Sequence, residues 1–541
     1  MTDINPKASI DTSLDPLIVI ASNRGPYSFE IQEDGSFNSK RGAGGLVTAL
    51  AALAEQLDIL WIANALSPAD KQWAEEQADT VTNVDGIDLR LVVADETAYN
   101  QFYNQISNPL LWFIQHGMWD MTRNPVIDRE IWAAWEDGYV AINKLFAETI
   151  ADSIKTLTAD QPDRPVIVMP QDYHLYMLPK FLRDLVSNQV QIQPFIHIPW
   201  PGPDGWRILP EEIRNAILVS LMSSDRIGFQ TRRDAFNFVQ TARFWVKGAH
   251  SYGARDAITY NDRRIGAKAY PISIDVEKVE NLINEGPARL HKNQIINMIG
   301  DRKLILRVDR VEPSKNILRS LQAFRTLLED HPEHKDNVSM VMLLVPSRLA
   351  VSEYESYLRD IMAEAGMINA GFSDEYWQPI TIILGNNYPR ALAGMQLYDV
   401  LLVNPIADGM NLVAKEGSLV NTRDGVLLLS EAAGAFYELG EHALTVSPFD
   451  VYSTAKALHE ALTMPSEDRK QRAEAMRAIV REHGVREWFY TQAQDALDAS
   501  IASSSMNAKN DSTSETPETI TSEDSKTTDG VSSPSTPTPN A

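Results

Sequence analysis

Cysteine is absent from all 541 residues, which excludes disulfides, thiol nucleophiles and thiolate metal sites and fits a reducing cytoplasm. Positive charge is scarce: 49 Lys and Arg stand against 73 Asp and Glu, a net charge of −24. Nucleic acid and anionic membrane both need a basic footprint, so neither is expected as a partner. No apolar run approaches the length of a bilayer span, and Met1 to Pro16 lacks the basic and apolar regions of a secretory signal. A soluble, cytoplasmic chain is expected. Also missing are an Asp-x-Asp triplet, a His-Glu-x-x-His pair, a P-loop Gly-Lys-Ser/Thr and a Gly-x-Ser-x-Gly elbow. What remains is phosphate stabilisation by Arg, Lys and main-chain amides, with no metal ligand set and no cofactor.

What is present divides in two. Apolar strands at Leu17 to Ala21, Ile59 to Ala63, Leu89 to Val93, Val166 to Met169 and Gln193 to His197 alternate with segments of helical spacing, among them Leu46 to Leu57, Ile131 to Ile154 and Leu175 to Val186. A second series runs through strands Leu304 to Val308, Val338 to Val345, Ile380 to Leu384, Val400 to Val403 and Val426 to Leu429, with helices at Ile317 to Leu328, Glu353 to Ala365 and Val451 to Arg481. The chain is too long for one core, and such alternation predicts two doubly wound α/β domains facing across a cleft. The expected layout is a disordered 1–15, domains over 16–272 and 273–484, a last amphipathic helix over 485–502, and a Ser/Thr/Pro-rich disordered tail over 503–541.

Chemistry belongs at the carboxyl ends of the strands. Asp408-Gly409-Met410-Asn411 follows Val400 to Val403 and opens a helix, a turn whose unpaired N–H groups suit an anion or a sugar hydroxyl. Asp408 can accept from hydroxyls and Glu416 can take both hydroxyls of a ribose; a helix N-cap and a surface carboxylate are the plainer readings. Arg310 and Lys315 open another helix and suit a diphosphate, or are two exposed cations at a capped start. Asp172 and His197 lie at successive strand ends. Gly44 and Gly45 precede a helix and resemble an anion cradle or a simple turn, and Tyr103 to Trp119 is rich in aromatics.

Together Ser22-Asn23-Arg24, Gly44-Gly45-Leu46, Tyr103-Asn104-Gln105, Asp172-Tyr173-His174-Leu175, His197-Ile198-Pro199, Gly228-Phe229-Gln230-Thr231, Arg310 with Ser314-Lys315, and the run from Asp408 to Glu416 resemble trehalose-6-phosphate synthases over about Leu17 to Ala499. The resemblance implies a GT-B fold, with two Rossmann-like domains and a C-terminal helix crossing back to the first. It implies a retaining hexosyltransferase that moves glucose from a nucleoside-diphosphate glucose, UDP-glucose first among them, to glucose 6-phosphate. Carried over by position, Arg310 and Lys315 are the diphosphate clamp, and His197 and Asp408 hold the donor glucose. Gly44, Gly45, Gly409, Met410, Asn411, Leu412 and Val413 line the donor, and Glu416 takes the ribose. Arg24, Tyr103, Trp112, Asp172 and Arg348 match the acceptor side. Arg310, Lys315, His197 and Asp172 are the residues expected to carry catalysis.

Several positions depart from that family. Trp61-Ile62-Ala63-Asn64-Ala65 stands where it has Trp-Ser-Gly, Gln171 replaces a His, Asn316 a Gly and Ala407 an Arg. Trp200 and Trp206-Arg207-Ile208-Leu209-Pro210 are instead similar to validoxylamine-phosphate synthase. Another phosphorylated acceptor, glycerol 3-phosphate or a cyclitol phosphate, is therefore an alternative. A non-catalytic sugar-phosphate sensor is a second. The sequence leaves open whether copies associate as a homo-oligomer.

Overall fold

The computed structural model describes residues 15–42, 57–347 and 352–512. Gly44, Gly45, Arg348 and nearly all of the expected helix from Leu46 lie outside them, as do residues 1–14 and 513–541.

Leu17–Ser22 is buried along its whole length, as an apolar run must be when helices cover both faces of a parallel sheet. It pairs in parallel with Asp58–Asn64 on one side and Val166–Pro170 on the other, and Ile87–Val92 and the antiparallel Thr82–Val84 extend the first side. On the second side Gln191–Ile192 follows Val166–Pro170. After Gln193-Pro194 the chain pairs again, as Phe195–Ile196, with Arg226–Phe229. Pro194 has no N–H for the ladder, so the single strand expected at Gln193 to His197 becomes two short ones. Arg263–Ala269 and Ala257–Tyr260 complete this half.

The second half holds one six-stranded parallel sheet in the spatial order Ile380–Leu384, Val338–Val345, Lys303–Arg310, Val400–Val403, Val426–Ser430, Leu444–Val446. Ranked along the chain, these lie third, second, first, fourth, fifth, sixth, the doubly wound order of dinucleotide-binding folds. In that order the connections reverse direction beside Lys303–Arg310, and the carboxyl ends of this strand and of Val400–Val403 open a crevice.

Other elements differ from expectation or had been given no structure. The aromatic-rich stretch is helical, with wide turns over Gln101–Leu111 that contain Pro109, where the missing N–H breaks the regular ladder. Val451 to Arg481 splits into Val451–Thr463 and Ser466–Glu482. The last helix runs Val485–Ser512 instead of stopping at 502, since no Pro or Gly interrupts residues 503–512.

That helix does cross back. The Trp488 ring meets Phe195 edge-on at 5.1 Å, Gln193 donates to the Gln492 carbonyl at 3.2 Å, and Asp495 accepts from the Tyr270 hydroxyl at 2.6 Å. One apolar core cluster accordingly contains Ile18 and Trp61 of the first half, Leu306 and Leu401 of the second, and Phe489 and Leu497 of the crossing helix.

Candidate active site

The second half builds its side of the site from two strand ends. Arg307 and Asp309 share a strand face and pair at 2.9 Å, while Arg307 also bonds the Asn404 side chain and the Lys315 carbonyl. These contacts fix the turn that delivers Lys315, whose Nζ reaches Asp408 Oδ2 at 2.5 Å. Burial works against the ammonium, yet Asp408, Asp309 and Glu312 hold its pKa above the ordinary lysine value. Asp408, against its own burial, is held below the ordinary carboxylate value by Lys315 and Asn411. Asp309 is pushed up to about 6 by burial, in spite of Arg307 and Lys315. Arg310 is different: its side chain is 57% exposed and lies 3.2 Å from Glu312.

Asn316 adopts a left-handed backbone, φ 63 and ψ 35, a conformation natural to Gly and tolerated by Asn. Its amide donates to the carbonyls of Asn404 at 3.0 Å and Pro448 at 2.6 Å, so Asn fits a turn at which the resemblance led to the expectation of Gly. The helix it precedes, Ile317–Asp330, is no anion cradle, because the Tyr357 hydroxyl accepts from Ile317 N–H at 2.7 Å. The helix that offers its start is Leu412–Val420. Asn411 caps it through Ala414 N–H at 3.2 Å and donates to Asp408 at 3.0 Å.

A cavity of about 220 Å³ lies against this apparatus, lined by Arg310, Lys315, Tyr388, Asn411, Val413 and Glu416 among others. Glu416 accepts from the Tyr388 hydroxyl at 2.8 Å. Burial pushes its carboxyl up to about 7, with the hydroxyl working the other way.

The first half meets the turn at Gly409 through His197. A Cβ on Gly409 would lie 1.9 Å from the His197 carbonyl oxygen, so only Gly lets the two halves approach here. The His197 ring is held from both edges. Gln230 Oε1 accepts from Ile272 N–H at 2.9 Å, which turns its NH₂ toward His197 Nδ1 at 3.3 Å. Gln171 donates to the Met169 carbonyl at 2.9 Å, which turns its oxygen toward His197 Nε2 at 3.0 Å. Nδ1 must therefore accept and Nε2 donate, giving a neutral ring of one tautomer. Burial depresses its pKa to about 4, in agreement. A sugar hydroxyl reaches this ring only by displacing one of the two amides.

Asp172 accepts from His197 N–H at 3.2 Å with φ 71 and ψ 177, a region that costs a non-glycine residue on the order of 1–3 kcal/mol and clusters at functional sites. Arg24 is exposed at the end of its strand, and Tyr103 stacks on Tyr99 at 5.7 Å and on His174 at 5.8 Å. Trp112 is not presented as a free face: it is 3% exposed and stacks on His116 at 4.0 Å. Trp61 is also buried, donating to the Ser22 hydroxyl at 2.8 Å. Trp200 and Trp206 stack on each other in the core at 4.4 Å. The likeness to validoxylamine-phosphate synthase carried by those two residues thus reflects packing and says nothing of the acceptor.

Arg310, Lys315, Asn411 and Glu416 line one cavity and Asp408 pairs with Lys315, while His197 meets Gly409 through its carbonyl and lies outside that lining. Sequence reasoning missed Asp309, Glu312, Tyr388 and Gln230. Asp309 and Glu312 were within reach, since both flank Arg310 in the same strand-to-helix stretch. Tyr388 sits 28 residues from Glu416 with no local pattern linking them.

Two facing Rossmann domains, a crossing C-terminal helix and a cationic strand-end site at the cleft define a glycosyltransferase of the GT-B architecture. The chain belongs to glycosyltransferase family 20, whose family model matches residues 16–498. It is 33% identical over 481 residues to a trehalose-6-phosphate synthase of Mycobacterium sp. (strain JLS), covering 87% of this chain and 94% of that one. It is 30% identical over 483 residues to the bifunctional trehalose-6-phosphate synthase/phosphatase of Thermoproteus tenax, of whose length it spans 62%, with 87% of this chain covered. Among solved structures, the E. coli protein bound with UDP-2-fluoro glucose superposes at TM-score 0.75, with 26% identity over 89% of this chain and 98% of that one. The UDP-forming α,α-trehalose-phosphate synthase of Burkholderia xenovorans in complex with glucose-6-phosphate superposes at 0.73, with 27% identity over 89% and 99%.

Proposed function

We propose that this chain transfers glucose from UDP-glucose to glucose 6-phosphate with retention of configuration, forming trehalose 6-phosphate and UDP. The observation that supports the reading is the convergence of Arg310, Lys315 and Glu416 on one cavity of the second half, with Asp408 paired to that lysine. Glu416 takes the ribose hydroxyls, and the start of Leu412–Val420 with Arg310 and Lys315 takes the diphosphate. Asp408 and His197 hold the glucose, and Gly44 and Gly45 close over the nucleotide. Arg24, Tyr103, Asp172 and Arg348 serve the acceptor, with Trp112 behind them as packing.

The bond from glucose C1 to the β-phosphate oxygen breaks, and a bond from C1 to the acceptor hydroxyl oxygen forms on the same face. The hydroxyl proton passes to the departing phosphate oxygen. Charge growing on that phosphate is met by a guanidinium, an ammonium and main-chain N–H groups already in position, the preorganised stabilisation that dominates many enzymatic rates. Such chemistry places the protein where nucleotide sugars are made, in the cytoplasm. Pure protein given UDP-glucose with glucose 6-phosphate, glycerol 3-phosphate or a cyclitol phosphate should release UDP with the first. Release only with another acceptor overturns the assignment.

A further inference from the structure

Three of the ten histidines in the chain meet at one spot on the second half, away from the cleft. His331 and His334 bracket the short turn Pro332–His334 that follows Ile317–Asp330. His459 comes from the separate helix Val451–Thr463. His331 Nδ1 lies 3.1 Å from Glu333 Oε1, and His334 Nε2 lies 3.0 Å from His459 Nδ1. The same Glu333 oxygen is 4.0 Å from His459 Nδ1, and the His331 and His459 rings stack at 3.6 Å. One donor atom from each of His331, Glu333 and His459 falls within 4.8 Å of the other two.

We infer that this cluster is a transition-metal site, with His331, Glu333 and His459 as ligands and water completing the shell. Zn²⁺ sits about 2.0–2.1 Å from imidazole nitrogen in a tetrahedron, which sets neighbouring donor atoms roughly 3.3 Å apart. The Glu333 oxygen, 3.1 Å from His331 Nδ1 and 4.0 Å from His459 Nδ1, brackets that edge. Two imidazoles and one carboxylate select Zn²⁺, Ni²⁺, Cu²⁺ or Co²⁺ over the oxygen-seeking Mg²⁺ and Ca²⁺. His334 is buried and the His331 and His459 side chains are about one-third exposed, at 32% and 30%. The ion therefore has both a backing and a route in.

Its effect is on the scaffold. A bound ion ties the carboxyl end of Ile317–Asp330 to Val451–Thr463, two helices that pack side by side. The other end of Ile317–Asp330 begins at Asn316, beside Lys315. Fourteen helical residues at about 1.5 Å each separate the two ends by about 21 Å, so the metal takes no part in glycosyl transfer. This inference does not rest on the proposed function.

The test uses the full chain without a histidine tag, stripped with chelator at neutral pH. Titration with Zn²⁺ in a calorimeter should give one equivalent per chain and a raised Tm, as ligand binding to the folded state requires. Co²⁺ in its place should give the intense visible bands of a four-coordinate ion. His459→Ala should weaken binding on the order of a hundredfold and remove the bands, a loss of ligand being at least as costly as the 10–100-fold seen for outer-shell partners. His331→Gln, at a more exposed position, serves if His459→Ala folds poorly. Less than one equivalent bound, or equal affinity and spectra in parent and His331→Gln, overturns the site.

Discussion

Lys315 Nζ and Asp408 Oδ2 stand 2.5 Å apart, joining the turn after Lys303–Arg310 to the turn after Val400–Val403. Each was expected to meet a different part of the donor, and the structure makes them one unit. Both side chains are only 14% exposed, so removing one partner strands the other's charge at a cost of about 3–5 kcal/mol. Asp408→Asn should therefore lower Tm and raise KM for UDP-glucose together. A raised KM at unchanged Tm would show that the pair contributes nothing to the fold.

Arg310 should behave in the opposite way. Its side chain is 57% exposed, so little packing is lost in Arg310→Ala. The turnover rate should fall on the order of a hundredfold, as when one preorganised charge-stabilising group is removed, while thermal unfolding stays close to the parent. A near-normal rate removes Arg310 from the clamp.

The donor affinity should depend on pH through Glu416. Its carboxyl is pushed up to about 7 by burial, so it is increasingly neutral as pH falls below 7, and only the carboxylate is the strong acceptor for ribose hydroxyls. KM for UDP-glucose should rise several-fold between pH 8 and pH 6. Tyr388→Phe removes a donor that favours the charged form, and should move the inflection upward. Glu416→Gln should have a high and flat KM. For stability the sign is reversed: folding favours the protonated group, so its ionisation becomes a cost that grows from about pH 4.5 to about 7.

His197 should act as a neutral ring. With Gln230 donating to Nδ1 and burial depressing the pKa to about 4, the parent rate should show no histidine inflection between pH 5 and 8. Gln230→Glu still offers an oxygen to Ile272 N–H but faces Nδ1 with a carboxylate, which favours a proton there. The variant should gain an inflection in that range, with the rate rising as pH rises. An unchanged profile would mean that Gln230 does not set the tautomer.

The strands of the second half were legible in the sequence: Val338–Val345, Ile380–Leu384 and Val400–Val403 lie at their expected bounds. Parallel strands covered on both faces are continuous apolar runs, and such runs need no distant information. The positions of Arg310, Lys315 and Asp408 at strand ends were legible for a related reason, since each follows an apolar run. Elements held by their neighbours were not. The antiparallel Thr82–Val84 and the pair Ala257–Tyr260 and Arg263–Ala269 have too little apolar patterning to announce themselves, and nothing local shows that the Tyr357 hydroxyl accepts from Ile317 and Leu318 N–H.

By itself, then, the sequence determined the class of fold, the family and the chemistry types at the strand ends, because these follow from local periodicity, composition and short contiguous motifs. Only the tertiary structure decided that Lys315 is paired with Asp408, that Glu416 is half-neutral near pH 7, and that His197 is locked between Gln171 and Gln230. It also decided that His331, Glu333 and His459 meet at one spot. Charge state and tautomer depend on which groups lie within a few ångströms, and that proximity is set by packing across intervening chain, 26 and 33 residues for the two amides on His197 and 93 for Lys315 with Asp408.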